Sequence, residues 1–318
     1  MKVENITEKN KIQKTIELPA KVNIRKGFNS GMIERDYVLP SFPLGKLGIL
    51  ASAGGTGKSI YGLQMLFQIA AGRCCDFKLN NTGMMSNDPS KVLYISLEDE
   101  DEDIDSRLSA LWQFWKDDAE RKLWLDDLAD LVDILALAKL GETLISGDGK
   151  KTDILELLEK KIKNENYRFV IIDTLRLMHD GDENDNGFMT KILRYFNTLA
   201  RQTKTSILLL HHENKGGFGD IDSGASAVRG ASAIVDNSRY VARMQTMTPD
   251  EAKNRSISDD ERRFWVRVSL EKSNYGPPQK AIWLQRMKGG VLMAAEPKEG
   301  LKGVKKAKEG NSWRHSDD

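Results

Sequence analysis

The stretch ILASAGGTGKS, residues 49–59, closes a run of glycines with Gly57, Lys58 and Ser59. This order of residues suits the holding of phosphate. Backbone N–H groups of Ala53, Gly54, Gly55, Thr56 and Gly57 can turn in on an anion, and the glycines let the backbone come close. Lys58 can reach the terminal phosphates of ATP, and the Ser59 hydroxyl can ligate Mg2+. A lysine opening a helix is unfavourable against the helix dipole unless an anion sits beside it. One residue departs from the usual spacing of a glycine, four residues, then Gly-Lys-Ser: Ser52 stands where the first glycine belongs.

Hydrolysis also needs a carboxylate near the metal and a base for the attacking water. Asp173 ends the apolar run FVIID and is suited to hold Mg2+ through water. Glu98 ends VLYISLE and can deprotonate a water. Asp99 is its rival, and if the strand continues it points to the opposite face. The acids Glu100 to Asp103 also suit an exposed helix start. His211 and His212 end ILLLHH, where a polar residue can report hydrolysis to the loop that follows.

That loop, 213–230, is long, Gly-rich and carries Lys215 and Arg229, which could follow the phosphates of single-stranded DNA. A second loop, 178–187, is too acidic for that contact. Arg239 and Lys272 come late in the chain, where a cation can complete a neighbour's site, although spacing alone suits a surface salt bridge as well.

These residues need a scaffold. Apolar strand patterns at 47–53, 91–99, 129–137, 167–175 and 206–212 alternate with helical patterns at 59–72, 102–115, 153–165 and 187–203. Such alternation predicts an α/β fold with a parallel sheet covered on both faces. Segments 231–247, 262–274 and 280–294 read as consecutive strands that extend the sheet in antiparallel fashion. The predicted organisation is a polar arm over residues 1–30, one domain over 31–295 and a disordered tail over 296–318. Net charge is +1, so an anionic partner must be met by a local patch. Cys74 and Cys75 are adjacent and read as free thiols of a reducing, cytoplasmic setting. The charged N-terminus does not read as a signal peptide, and no apolar run reaches membrane-spanning length.

The combination of YVLP, AGGTGKS, LED, IIDTLR, LLHHENKGG, RGASAIVDNSRY, DDERRFWVRVSLEKSNYGPP and GGVL resembles the RepA hexameric replicative helicases of broad-host-range plasmids, within the RecA/DnaB-like P-loop ATPases. The resemblance runs over roughly residues 37–294. It implies a RecA-like core in a six-membered ring, moving 5′ to 3′ on single-stranded DNA and unwinding duplex at the cost of ATP. It also implies Lys58 and Ser59 on ATP–Mg2+, Asp173 on the metal, Glu98 as base and His212 as phosphate sensor. Arg239 would be the finger reaching the adjacent subunit, with Arg229 its rival and Lys272 assisting. Primase and initiator or loader would be separate proteins. A RecA-like recombinase and a regulatory ATPase switch share the nucleotide site and stay open as alternatives.

Overall fold

The computed structural model describes residues 20–31, 35–72, 88–118, 127–213, 232–276 and 279–297. Cys74, Cys75, Lys215, Arg229 and the tail after 297 lie outside the described residues. The chain divides into two units, Met1–Arg35 and Asp36–Asp318. In the first, part of the expected arm is helical: α1 (Ile24–Asn29) starts at Asn23, whose side-chain oxygen accepts the Lys26 N–H at 3.0 Å.

The second unit is built on a nine-stranded sheet. A short hairpin, β1 (Tyr37–Leu39) and β2 (Phe42–Pro43), precedes it. Then come β3 (Leu47–Ser52), β4 (Val92–Ser96), β5 (Val132–Ala136), β6 (Phe169–Asp173), β7 (Ser206–His212), β8 (Tyr240–Thr246), β9 (Trp265–Ser273), β10 (Ile282–Arg286) and β11 (Leu292–Ala294). Their spatial order is β11-β10-β9-β8-β3-β7-β6-β4-β5. The strands from β8 to β5 run parallel, and β9, β10 and β11 continue from β8 in antiparallel pairs. This is the mixed sheet that the sequence predicts.

Alternation along the buried strands divides the core in two. Ile49, Ile95, Ile172 and Leu209 face one side, against α4 (Asp153–Glu165) and α5 (Asn186–Thr203). Leu50, Tyr94, Ile171 and Leu210 face the other, against α2 (Lys58–Ala70) and α3 (Asp101–Trp115). α5 shows why it forms. It buries Phe188, Met189, Ile192, Leu193, Phe196, Leu199 and Ala200 at helical spacing, and Asp185 caps its start by accepting the N–H groups of Gly187 and Phe188.

Two strand expectations need correction. Ser232–Asn237 is a short helix, α6, and only then does β8 begin. The six apolar and polar residues there fit either period, and the parallel crossover from β7 to β8 is made through this helix. Likewise β4 ends at Ser96, two residues before Glu98. The remaining helices, α7 (Pro249–Asn254) and α8 (Asp259–Arg262), are single turns between β8 and β9. Both open with a capping box, Thr248 with Glu251 and Ser258 with Glu261. No helix among the described residues is long and apolar enough to cross a membrane.

Candidate active site

Parallel register sets the ends of β3, β7, β6 and β4 side by side. Ser52 pairs with His212, Leu210 with Asp173, and Asp173 with Ser96. The phosphate loop leaves β3 at this edge and turns into α2. Gly55 and Gly57 take φ of 74° and 103°, a left-handed conformation that disfavours any side chain, while Ser52 does not. Ser52 is the last residue of β3, fully buried, with its carbonyl accepting the Glu213 N–H at 2.9 Å. A strand residue needs no glycine, so the unusual residue costs the loop nothing. Ala53 closes the loop by accepting the Thr56 hydroxyl at 2.9 Å.

Lys58 opens α2 with its side chain 5% exposed. Burial pulls its pKa below the ordinary lysine value, against the opposing charges of Asp173, Glu98 and Glu213. Its Nζ lies 3.1 Å from Nδ1 of His212, whose Nε2 lies 3.4 Å from Oε2 of Glu98. An ammonium only donates, so Nδ1 accepts and Nε2 carries the hydrogen that points at Glu98. That hydrogen bond is the chief reason the Glu98 carboxyl is held below its ordinary pKa. The Glu98 side chain stays half exposed, open to a water. Lys58, His212 and Glu98 thus form one chain of contacts from phosphate loop to carboxylate.

Glu98 and Asp99 differ in their partners, since the strand ends too early for alternation to separate them. Asp99 is buried and accepts from Arg107 Nη2 of α3 at 2.7 Å, and its backbone N–H is held by Ser96 Oγ. The two histidines also part. His211 is buried on the other face, its Nδ1 3.2 Å from Oε1 of Glu183 in the acidic loop.

Asp173 is fully buried and accepts the Tyr94 hydroxyl at 2.7 Å on Oδ2. Burial pushes its carboxyl up, while Ser59 and Tyr94 favour the charged form. Oδ1 meets no donor in hydrogen-bonding geometry. A buried carboxylate oxygen left over beside a serine at the start of the phosphate-loop helix suits a hydrated Mg2+, so Ser59 and Asp173 fit the metal role expected of them.

Three residues here escaped the sequence reading. Arg286 of β10 donates from Nη2 to the carbonyls of Gly55, 3.1 Å away, and Thr56, 2.6 Å away, and so braces the loop. Glu213, just past His212, is buried with Arg243 of β8, whose Nε lies 2.9 Å from Oε1. Nothing in local spacing announces either contact. The buried charges of Arg243 and Glu213, inside otherwise apolar or polar runs, are the faint signal.

Arg239 and Lys272 stand elsewhere. The Arg239 N–H donates to the Leu47 carbonyl, and Lys272 pairs in register with Val241. Both therefore mark the start of β3 and β8, the edge opposite the phosphate loop, about 16 Å away along β3. Lys272 Nζ donates to the Val235 carbonyl at the end of α6, 2.6 Å away. Exposed Arg239 joins Lys46, Arg194 and Arg201 around a cavity of about 280 Å3, where Asp236 is the carboxylate of the lining. None of these four cations forms an ion pair among the described residues. Within one chain they do not meet Lys58.

The AAA domain family profile matches residues 13–217. The chain belongs to the AAA domain family. Its fold is also that of two solved structures. One is the ATPase domain of G40P, 15% identical, covering 86% of this chain and 96% of that chain, with a TM-score of 0.55. The other is a DnaB-like replicative helicase, described with its interactions with primase, 17% identical with a TM-score of 0.54. That match covers 79% of this chain and 58% of the helicase chain. In this AAA-family chain the phosphate loop, Asp173 and His212 all fall inside the matched region.

Proposed function

We propose that the protein is an ATP-driven DNA helicase of the RepA plasmid type, acting as a homo-hexameric ring on single-stranded DNA. The observation that carries this reading is the Lys58–His212–Glu98 chain beside Asp173 and Ser59. The γ-phosphate of ATP competes with His212 for the Lys58 ammonium. His212 thereby senses whether phosphate is present, at the root of the loop that carries Lys215. Glu98, kept ionised, takes the proton of the attacking water. Ser59 and Asp173 would hold Mg2+, which would supply charge neutralisation on the phosphates.

The ring is supported by the cations of the opposite edge. Arg239 is exposed and unpaired among the described residues. It is too far along β3 to serve its own loop, and suits the ATP of an adjacent copy. Lys272, tied to α6, holds the turn that presents Arg239. Lys215 and Arg229 are the proposed contacts to DNA. Separate primase and loader proteins, and a cytoplasmic setting, belong to the same reading.

Two assays test it. Lys58→Ala should lower ATP hydrolysis by about 10²- to 10³-fold, the scale of losing one charge-stabilising donor. Wild-type chain should displace a strand from forked DNA with a 5′ tail, and Lys58→Ala should not. Near-normal hydrolysis in the variant would remove the site assignment. Hydrolysis without displacement would reduce the protein to an ATPase of another kind.

A further inference from the structure

The cavity at the edge where the parallel strands begin is lined by Lys46, Arg194, Arg201 and Arg239, with Asp236 as the carboxylate of the lining. We propose that it is a seat for a polyphosphate anion, with Arg194 and Arg201 of α5 as its principal donors. The seat lies at the opposite edge from the phosphate loop, and its existence rests neither on the nucleotide-site reading nor on the ring.

Three pieces of backbone bring the cations together, and each is fixed. α5 carries Arg194, Asn197 and Arg201 at spacings that put them on one stripe of the helix. Asn197 Nδ2 donates to the Leu193 carbonyl at 3.0 Å and to the Asn237 carbonyl at 2.9 Å, which ties this stripe to the end of α6. Just beyond, the Arg239 backbone is held on both sides. Its N–H donates to the Leu47 carbonyl and its carbonyl accepts the Asn274 N–H, each at 3.3 Å. The turn before β3 packs on the end of α5, where a Cβ on Gly45 would stand 3.4 Å from the Ala200 carbonyl oxygen. Lys46 follows it, its Nζ 5.5 Å from the centre of the Tyr275 ring, a contact that places the ammonium without neutralising it.

The charge so gathered lacks counter-ions: none of the four cations forms an ion pair among the described residues. The helix dipole accounts for Arg201, in the last turn of α5. It does not account for Arg194, about two turns earlier, nor for cations on the other elements. Lys272 beside them feels the same field. Burial lowers its pKa, Asp236 opposes this, and Arg239 adds to the lowering. Like charges held together repel, and an anion brought from outside relieves them. The chemistry of the donors selects that anion, because guanidinium forks take phosphate oxygens in pairs. Arg194 and Arg201 stand about 10 Å apart along α5, so charge spread over linked phosphates answers both better than a single carboxylate. Free polyphosphate and the phosphates of a nucleotide held by another copy share this chemistry.

The test uses the full chain with Lys58→Ala, which disables its own loop, and titrates it calorimetrically with inorganic tripolyphosphate at low salt. Binding is expected. Adding Arg194→Gln with Arg201→Gln should weaken it by about 10- to 100-fold, the scale of one or two charge-assisted hydrogen bonds. Arg194→Lys with Arg201→Lys should fall between. Lys160→Gln with Lys191→Gln removes two exposed lysines outside the lining, and should leave affinity within about twofold. Thermal melts establish that each variant is folded. Absence of binding overturns the proposal, as does affinity unchanged in the arginine pair, or an equal loss in the lysine pair. Hydrolysis separates the two sources. With Lys58 intact, the arginine-to-glutamine pair should lose ATP hydrolysis and recover part of it on mixing with Lys58→Ala chains if the anion is a neighbour's nucleotide. Hydrolysis unchanged beside lost tripolyphosphate binding assigns the seat to free polyphosphate, and the ring reading then loses this support while the seat stands.

Discussion

The two edges of the central sheet treat charge in opposite ways. Where the parallel strands end, the ionisable groups answer one another: Lys58 with His212, Glu98 with His212, Asp99 with Arg107, Glu213 with Arg243 and His211 with Glu183. Where they begin, Lys46, Arg194, Arg201 and Arg239 share a cavity without an ion pair among the described residues. The first edge is a finished arrangement to which a nucleotide is added. The second gathers four cations around one carboxylate, Asp236, with no ion pair to them among the described residues. Unanswered charge of one sign is repulsive within a chain and useful toward an anion brought from outside. That contrast is the support for the proposed ring over a lone ATPase.

The sharpest way to break the contrast is at Arg239. Arg239→Ala should retain nucleotide binding and lose hydrolysis by about 10³- to 10⁵-fold, the scale of an arginine finger. Mixing it with Lys58→Ala chains should restore part of the activity, because a mixed interface pairs an intact loop with an intact arginine. Absence of recovery in mixed assemblies would leave Arg239 as an ordinary surface cation.

At the opposite edge, Arg243→Met should leave Glu213 buried without its partner. Removing one member of a buried pair costs about 3–5 kcal/mol, to be read as a lowered denaturant midpoint. Burial already pushes the Glu213 carboxyl up despite Arg243. Adding Glu213→Gln should therefore recover much of the loss, and a double variant no better than the single one would deny the coupling.

The smallest expected effect is on pH. His212 is the first cause holding the Glu98 pKa below its ordinary value. A depressed carboxyl keeps its charge until the pH falls through that lowered value. In His212→Ala, Glu98 takes up its proton at higher pH, so the acid limb of the kcat/KM profile should move upward. A limb that stays in place would assign the base to another group.

Local signals carried much of this architecture into view. The strand Ser206–His212 and the helix Asp153–Glu165 form over the predicted residues, because periodicity and caps agree there. Glycines and Lys58 mark the loop, and Glu98 and Asp173 stand out as the first acid past β4 and the acid that ends β6. What stayed hidden depends on long-range geometry. The Arg286 contact to Thr56 spans 230 residues and exists because the antiparallel strands bring β10 to the loop. Asp99 is set apart from Glu98 by Arg107, eight residues on, a pairing that requires α3 to fold back. Segment 232–237 reads as strand because six residues are too few to distinguish two periods.

One further contact bears on how copies of this chain meet. Gln64 of α2 donates to the Leu292 carbonyl and accepts the Leu292 N–H, each at 2.9 Å. A side-chain amide thus imitates the backbone of a missing neighbour along the outermost strand, β11, which is three residues long. An outer strand with free backbone groups is a template on which another chain can polymerise. Here the template is taken up from inside at Leu292. At Leu292 an added strand would find both backbone groups already occupied, so this point of the border favours recognition through side chains over strand pairing.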